Sequence, residues 1–319
     1  MGATDPLPSW NDGVAKQAIL ELVKATTDTA SPRFAPVEDR IATFDQDGTL
    51  WVEHPFYTQG VFALDRLREL VPSHPEWKTQ EPFKAIVSGD KQAIMNLTES
   101  DAETIVAATH AGTTTQDFRS DVARWLASAT HPRFRRPYTE LVYQPMLEVM
   151  RLLRDNGFKT FIVTGGGQEF VRTYAQSVYG VPPYQVVGSS LLTRYGAQDG
   201  QPVLAREPKV FFVNDFGGKP VGINLFIGKR PIAAFGNADG DGDMMRWTQA
   251  GGAGRLMMLV HHDDERREYA YGPAGGGADT KIGTFSETLM GEATKNGWPV
   301  VSMKADWKRV FAFEPLATP

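Results

Sequence analysis

The chain has 319 residues, a formal net charge of −5 and no cysteine. This charge gives no long-range attraction to nucleic acid or to an anionic membrane, and the lack of cysteine excludes disulfides and thiol chemistry. No apolar run reaches the roughly 18 residues that would span a bilayer, so we expect no membrane span. The chain is longer than one typical domain, which predicts a core domain with a sizeable insertion.

The first predicted elements are a helix and a short buried strand. Apolar residues at helical spacing predict a helix from Ala15 to about Thr27, with Asn11 or Asp12 as its cap. Residues 41–44 read Ile-Ala-Thr-Phe, which suits a buried strand by β-propensity and by length. We expect the helix to pack beside this strand.

Two carboxylates, Asp45 and Asp47, come directly after that strand. Open α/β sheets bind ligands at the carboxyl ends of their strands, and Gly48 lets the backbone bend so that both carboxylates face one centre. The pair indicates one nucleophile and one general acid/base. In isolation, Asp-x-Asp-Gly is most often a solvated turn, because Asp and Gly both favour turns.

The stretch between this pair and the next predicted strand is rich in helical periodicity, which indicates a mainly helical insertion. A further helix, Leu141–Asn156, is predicted to return the chain to the sheet. The helices of the insertion are predicted at Val61–Val71, Phe83–Ile86, Ala102–His110 and Thr115–Ser128.

A second strand, Thr160–Thr164, is followed by three glycines at 165–167 and by a helix that begins near Gln168. Thr164 offers a hydroxyl to an anion, and glycine amides before a helix offer exposed N–H groups. Glycine also lets the backbone approach such a ligand closely. A flexible connector is the competing interpretation, and it is disfavoured because a linker has no purpose between a strand and a helix.

An acidic loop follows a later strand, where residues 234–241 read Ala-Phe-Gly-Asn-Ala-Asp-Gly-Asp. Asp239, Asp241 and Asp243 alternate as in a calcium-binding EF-hand, but position twelve of such a loop is Ala250, where a glutamate is needed. The alternation of strands and helices implies a parallel sheet with helices on both faces. The remaining strands are predicted at Gln185–Val187, Ile232–Phe235 and Leu256–Val260.

His261 and His262 follow the last of these strands. They lack metal-ligand spacing with an acidic partner, so we expect them at the surface or facing the insertion.

Three of these stretches and Lys219, taken in order, resemble the four motifs of the haloacid dehalogenase superfamily, in its phosphoserine-phosphatase-like subgroup. They are Asp45-Gln-Asp-Gly-Thr, the strand ending in Thr164 and glycines, Lys219, and the acidic loop at 234–241. The resemblance implies an α/β, Rossmann-like doubly wound parallel sheet with an inserted helical cap of the C1 type. It places the core at residues 1–54 and 139–319 and the cap at 55–138.

The resemblance implies a Mg²⁺-dependent phosphomonoesterase that acts on a small phosphorylated metabolite. Asp45 is the residue that we expect to attack phosphorus and form an aspartyl phosphate, and by resemblance Asp47 is the general acid/base. Thr164 and Lys219 complete the expected catalytic set. The residues expected to bind phosphate are Gly165 and Gly166, and those expected to bind the metal are Asp45, Asp47, Asp241, Asp239 and Asn237.

The acidic loop departs from the superfamily pattern at Asn237, where related phosphatases carry Asp. An amide oxygen can bind a metal or its water but brings no charge. Our order of preference for the metal ligand is therefore Asp241, then Asp239, then Asn237, and Asp243 is a further candidate.

Lys219 has rivals, because a lone lysine after two glycines is usually a surface charge. Lys229 and Lys209 are the alternatives. Lys219 is preferred because Lys219-Pro220 is expected to open a helix, where proline is tolerated in the first turn.

Glu53 lies near the position where a glutamate of phosphoserine phosphatases binds the amino group of the substrate. An amino-alcohol phosphate is therefore one expected substrate, and a solvated or cap-hinge charge is the alternative for this residue. Other functions with this resemblance are a phosphomutase, a dehalogenase or a non-catalytic metal-binding protein. A dehalogenase is disfavoured because halide leaves without the proton that Asp47 would supply.

The N-terminal residues lack the basic and apolar regions of a signal peptide. Residues 7–13 resemble the mature start of exported bacterial members of the superfamily, which favours the bacterial periplasm over the cytoplasm. The sequence predicts a small-molecule phosphate ester as partner and gives no prediction of oligomeric state.

Overall fold

A seven-stranded sheet forms the centre of the computed structural model, which describes residues 5–273 and 282–315. The strand order is β4-β3-β2-β1-β5-β6-β7. All neighbouring strands are parallel except β3 and β4, which are antiparallel. The strands are β1 Ile41–Phe44, β2 Lys159–Gly167, β3 Val186–Gln198, β4 Gln201–Phe212, β5 Ala233–Gly236, β6 Leu256–His261 and β7 Val300–Ser302.

Thirteen α-helices lie in the part of the chain that the structure describes. None of them is long and apolar enough to cross a membrane. They are α1 Val14–Thr27, α2 Thr58–Leu70, α3 Phe83–Ser88, α4 Lys91–Met95, α5 Glu99–His110, α6 Thr115–Leu126, α7 Gln144–Asp155, α8 Gln168–Arg172, α9 Ala175–Tyr179, α10 Gly218–Gly222, α11 Gly242–Gln249, α12 Glu287–Asn296 and α13 Met303–Asp306.

Side chains of β1 alternate between two hydrophobic layers, one on each face of the sheet. Ala42 and Phe44 belong to the larger layer, which also contains residues of α1 and α7 such as Ile19 and Val149. Ile41 points to the other face, where α11 and α12 supply the packing. Because successive side chains of a strand point to opposite faces, this short strand is buried on both sides. The predicted α/β class with helices on both faces is confirmed.

The order in which strands are added to the sheet changes direction at β1. Strands β2–β4 lie on one side of it and β5–β7 lie on the other. Phe44 of β1 is in register with Ile162 of β2 on one side and with Phe235 of β5 on the other. In open α/β sheets ligands bind at such a switch point, beyond the carboxyl ends of the strands. The residues that follow β1, β2 and β5 therefore meet at one edge.

Helices α2–α5 pack around a small core of their own, which includes Leu67, Trp77 and Ile86, whereas Phe118 and Val122 of α6 belong to the larger layer. The predicted helices of this stretch are therefore present. The assignment of residues 55–138 as a cap stays a prediction.

At one edge of the predominantly parallel sheet, β3 and β4 form a long antiparallel hairpin, which was not predicted. The predicted strand there is only Gln185–Val187, yet β3 continues to Gln198. Gln198 pairs with Gln201, which leaves Asp199 and Gly200 as a two-residue turn with positive φ at both positions. Asp-Gly is the preferred sequence for this turn, so the signal for the hairpin was present in the sequence.

Candidate active site

The turn after β1 brings the first predicted carboxylates to the edge of the sheet. The Asp45 amide donates to the Phe235 carbonyl at 2.8 Å, which joins the turn to β5. Gly48 has a φ of 72°, and a Cβ there would overlap the side chains of Asn237 and Glu53. Only glycine therefore combines this backbone conformation with such close neighbours.

Lys219 lies at the centre of the site and is 2% exposed. Its Nζ is 2.6 Å from Asp45 Oδ1 and 2.6 Å from Asp241 Oδ1. It is part of α10, as the preference for a helix start at Lys219-Pro220 predicted. Among its rivals, Lys209 is exposed, and Lys229 pairs with Asp39 on the surface. The structure thus brings Lys219, rather than its rivals, to Asp45.

Burial and mutual charge shift the pKa values of Asp45 and Lys219. Burial, followed by the charge of Asp241, raises the pKa of Asp45 well above its usual range, although Lys219 opposes the shift. Burial alone would lower the pKa of Lys219, but Asp241 and Asp45 outweigh it and raise the pKa above its ordinary value. Lys219 therefore stays charged and favours the ionised form of Asp45.

Asp47 is half-buried, and its Oδ1 accepts a hydrogen bond of 2.7 Å from the indole Nε1 of Trp51. Burial raises the pKa of Asp47 to about 6, against the opposing effects of Trp51 and Lys219. A carboxyl group with this pKa can give or take a proton near neutral pH. Asp47 thus has the property that a general acid/base needs.

Thr164 and the glycines form the end of β2 rather than a loop. The hydroxyl of Thr164 accepts from the Gly166 amide at 2.9 Å. The Gly167 amide donates to Oε1 of Gln59, at the start of α2, at 2.7 Å. A Cβ on Gly165 would come to 3.1 Å from the carboxyl carbon of Asp215. Of the two predicted amides, those of Gly165 and Gly166, the Gly166 amide is already hydrogen-bonded, as is the neighbouring Gly167 amide.

The acidic loop after β5 contributes Asp241 to the centre. Its Oδ2 accepts from the amides of Asn237 and Ala238 at 2.9 and 3.0 Å, while its Oδ1 binds Lys219. Asp239 instead accepts from the amide and hydroxyl of Ser286, at the start of α12. Of the three preferred loop residues, the structure places Asp241 at the lysine and Asp239 beside another helix.

Asn237 and Glu53 form a buried polar cluster beside the site. Asn237 accepts from the Thr49 hydroxyl at 3.0 Å and donates to Glu53 Oε1 at 2.7 Å. Glu53 also accepts from the hydroxyl of Tyr271 at 2.5 Å, and it is 2% exposed. A solvated charge at Glu53 is therefore excluded, whereas the cap-hinge alternative stays a prediction. Burial raises its pKa well above the usual range, although the Tyr271 hydroxyl opposes the shift.

Asp243, the further candidate of this loop, pairs with Arg246 at 2.8 Å on the surface. It does not belong to the cluster around the lysine.

Two residues near the site, Asp215 and Gln59, were not predicted from the sequence. Asp215 lies beside Gly165 and Gly240, and its charge contributes to the raised pKa of Lys219. Gln59 reaches the end of β2 from the helical insertion. Asp215 lies four residues before Lys219. This spacing does not distinguish a residue of the site from an aspartate in a surface turn.

The expectation of a surface position is wrong for His261, the last residue of β6, and for His262, which follows it. His261 and His262 are 5% and 1% exposed, so neither is a surface residue. His262 hydrogen-bonds to the carbonyl of Gly48, in the turn between β1 and the insertion. The sequence shows no periodicity that links positions 214 residues apart.

The site has more negative than positive charge. Asp45, Asp47 and Asp241 interact with one ammonium group, that of Lys219. Among residues 5–273 and 282–315, no three acidic, histidine or cysteine side chains are arranged to hold a metal ion. This donor set still fits Mg²⁺, because that ion needs only one or two carboxylates and takes its other oxygens from waters and phosphate.

Comparison with solved structures finds distant likenesses. A functionally unknown protein from Anaerococcus prevotii DSM 20548 is 15% identical, with 78% of this chain and 86% of that chain covered and a TM-score of 0.52. A protein of unknown function from Bordetella pertussis Tohama I is 14% identical, with 82% and 97% covered and a TM-score of 0.49. A phosphoserine phosphohydrolase-like protein from Francisella tularensis subsp. tularensis SCHU S4 is 16% identical, with 71% and 89% covered and a TM-score of 0.40. The first of these shows a shared fold.

A search of curated proteins gives no match. The family of haloacid dehalogenase-like hydrolases has a model that matches residues 42–246. That range contains all four motifs, from the turn after β1 to the acidic loop, whereas the cap type stays a prediction. Because the match covers more than half of the chain, this protein belongs to the haloacid dehalogenase-like hydrolase family.

Proposed function

We propose that the protein is a phosphatase that hydrolyses phosphate monoesters of small metabolites through an aspartyl-phosphate intermediate on Asp45. The observation that carries this proposal is the buried contact of Lys219 with Asp45 and Asp241, next to an Asp47 carboxyl whose pKa is near 6. A nucleophile, a fixed positive charge and a proton-transfer group thus lie together at the switch point of the sheet.

In the first step, Oδ2 of Asp45 attacks the phosphorus atom while Lys219 holds Oδ1. The new bond joins the carboxylate oxygen to phosphorus, and the ester P–O bond breaks with its electron pair on the leaving oxygen. Asp47 in its protonated form gives that oxygen a proton. Lys219 offsets negative charge on the transferring group, which is the main contribution a protein makes to phosphoryl transfer.

In the second step, water attacks the phosphorus of the aspartyl phosphate. Asp47, now ionised, takes a proton from this water, and the bond between phosphorus and the Asp45 oxygen breaks. Inorganic phosphate leaves and the Asp45 carboxylate is regenerated. One carboxyl group therefore serves both steps by switching between acid and base.

We further propose that Mg²⁺ is the cofactor. Asp45 and Asp47 would hold it, and Asp241 is the acidic-loop residue that shares Lys219 with Asp45. The ion would neutralise phosphoryl charge that the single lysine cannot balance. In both steps described above, the side chain of Asp47 gives or takes the proton.

The test is hydrolysis of p-nitrophenyl phosphate with and without Mg²⁺, by wild type, Asp45→Asn and Asp243→Asn. Asp243 lies in the same acidic loop but pairs with Arg246 at the surface, so its variant is a matched control. We expect Mg²⁺-dependent turnover in wild type and in Asp243→Asn, and none in Asp45→Asn. Turnover that survives in Asp45→Asn would contradict the proposal.

A further inference from the structure

His262 contacts the catalytic turn from a segment that the proposed chemistry does not use. Its Nε2 is 2.7 Å from the carbonyl oxygen of Gly48, and its Nδ1 is 2.9 Å from Oε2 of Glu268. Glu268 is fully buried. A carbonyl oxygen can only accept, so Nε2 must carry a proton and donate it to Gly48. The imidazole thus spans from a buried carboxyl group to the backbone next to Asp47.

The same segment reaches the acidic loop by a second route. The ring of Tyr271 stacks on His262, with the centroids 4.4 Å apart and the planes at 20°. Its hydroxyl donates to Glu53, which in turn accepts from Asn237. Residues 262–271 therefore connect the turn that carries Asp47 with the loop that carries Asp241.

Gly48 is the point at which this contact acts on the site. It directly follows Asp47, and its φ of 72° defines the bend of the turn. A carbonyl fixed by a buried donor limits rotation of the Gly48–Thr49 peptide unit and so restrains the turn that carries Asp47. A displacement of about 1 Å in a catalytic group can cost roughly 100-fold in rate.

We propose that His262 and Glu268 are positioning residues that hold the Gly48 carbonyl and thereby aim Asp47 at the group transferred to Asp45. This inference rests on the proposed phosphatase function. The pair touches no reacting atom, so its removal lowers the rate of the chemical step and leaves substrate affinity unchanged.

The first test compares His262→Phe with His261→Phe. Phenylalanine keeps the ring and its stacking surface but removes the donor to Gly48. His261 is the matched control, because it is also buried, it packs against Phe285, and its Nε2 has no hydrogen-bond partner within the described residues. In p-nitrophenyl phosphate hydrolysis, we expect His262→Phe to lower kcat by about 10- to 100-fold with KM within about twofold. Equal kcat in the two variants would overturn the proposal.

The second test uses the conservative variant of the carboxyl group. Glu268→Gln can donate an amide N–H to Nδ1 of His262, so the imidazole keeps its proton on Nε2. We expect it to keep kcat within about threefold of wild type, whereas Glu268→Leu should lose about as much as His262→Phe. Similar kcat in Glu268→Gln and Glu268→Leu would overturn the proposal, and this comparison also decides the matter if His262→Phe does not fold.

A measurement without substrate separates the positioning from the phosphatase function. The amides of Gly48, Thr49 and Leu50 donate within the turn, so their hydrogen exchange reports its opening. We expect exchange at least about tenfold faster in His262→Phe than in wild type and His261→Phe. Wild type without turnover would refute the proposed function alone, and unchanged exchange in His262→Phe would refute the positioning alone.

Discussion

At the scale of single residues, Lys219 is the group on which the charge balance of the site depends. Two buried carboxylates share its ammonium, so its removal leaves both without a counter-charge. We expect Lys219→Ala to lower the free energy of unfolding by about 3–5 kcal/mol and to abolish phosphatase activity. Lys229→Ala, which breaks an exposed pair with Asp39, should cost about 0–1 kcal/mol. Urea unfolding measures both, and equal costs would contradict this account.

His110 is a buried histidine whose hydrogen bonds require the neutral form. Its Nδ1 is 2.7 Å from the Thr109 hydroxyl, which itself donates to Ile105, and its Nε2 is 3.2 Å from the amide nitrogen of Gln59. One nitrogen therefore donates to Thr109 and the other accepts from Gln59. Burial, followed by the charges of Arg206 and Arg66, lowers the pKa of His110 to about 3.

This shift predicts the direction of an acid effect on stability. Between about pH 6.5 and pH 3 the unfolded state binds a proton at His110 that the folded state does not, so stability falls as the pH is lowered through this window. The contribution is up to about 1.4 kcal/mol per pH unit. His110→Gln should flatten this part of the profile in urea unfolding. A wild-type slope in His110→Gln would contradict the assignment.

At the scale of elements, the β3–β4 hairpin ties the helical insertion to the sheet. The Gly112 amide donates to the Arg206 carbonyl, and the Arg206 amide donates to Thr113. The Arg206 guanidinium donates to the His110 carbonyl at 2.7 Å and lies over the ring of Phe118 at 4.1 Å. The junction of α5 and α6 is thus held by backbone and side-chain contacts to one residue of β4.

Arg206 provides the test of this connection. We expect Arg206→Gln to lower the free energy of unfolding by about 2–4 kcal/mol, because it removes a buried charged hydrogen bond and a cation–π contact. Arg194 lies on the same hairpin, is largely exposed and pairs with Glu207, so Arg194→Gln should leave the denaturation midpoint close to that of wild type. If the two variants have the same denaturation midpoint, the hairpin does not hold the insertion.

The sequence predicted the elements whose signals are local. The strand at Ile41–Phe44, the helix at Val14–Thr27 and the lysine at a helix start each depend on a few neighbouring residues. The hairpin was also signalled locally, by Asp199-Gly200, but the strands on either side were not recognised. Glu53 and His262 could not be placed, because their partners are 184 and 214 residues away and only the folded sheet brings them together.

At the scale of the whole molecule, the proposed Mg²⁺ site would link folding to cation binding, because the site has an excess of negative charge. A cation that binds only the folded state raises its stability, by about 2.7 kcal/mol at 100 times its Kd. We expect Mg²⁺ to raise the Tm of wild type and of Asp243→Asn, and to raise that of Asp47→Asn less. An identical Mg²⁺ response in all three proteins would show that the ion binds away from the catalytic turn.

The covalent intermediate is the central claim, and trapping it is the most direct test. The leaving group of p-nitrophenyl phosphate needs little help from a proton, so Asp47→Asn should still be phosphorylated but should release phosphate slowly. Mass spectrometry of acid-quenched Asp47→Asn should then find one phosphoryl group on the peptide that contains Asp45, and none in Asp45→Asn. Turnover without a phosphorylated peptide, or a phosphoryl group on another residue, would contradict the mechanism.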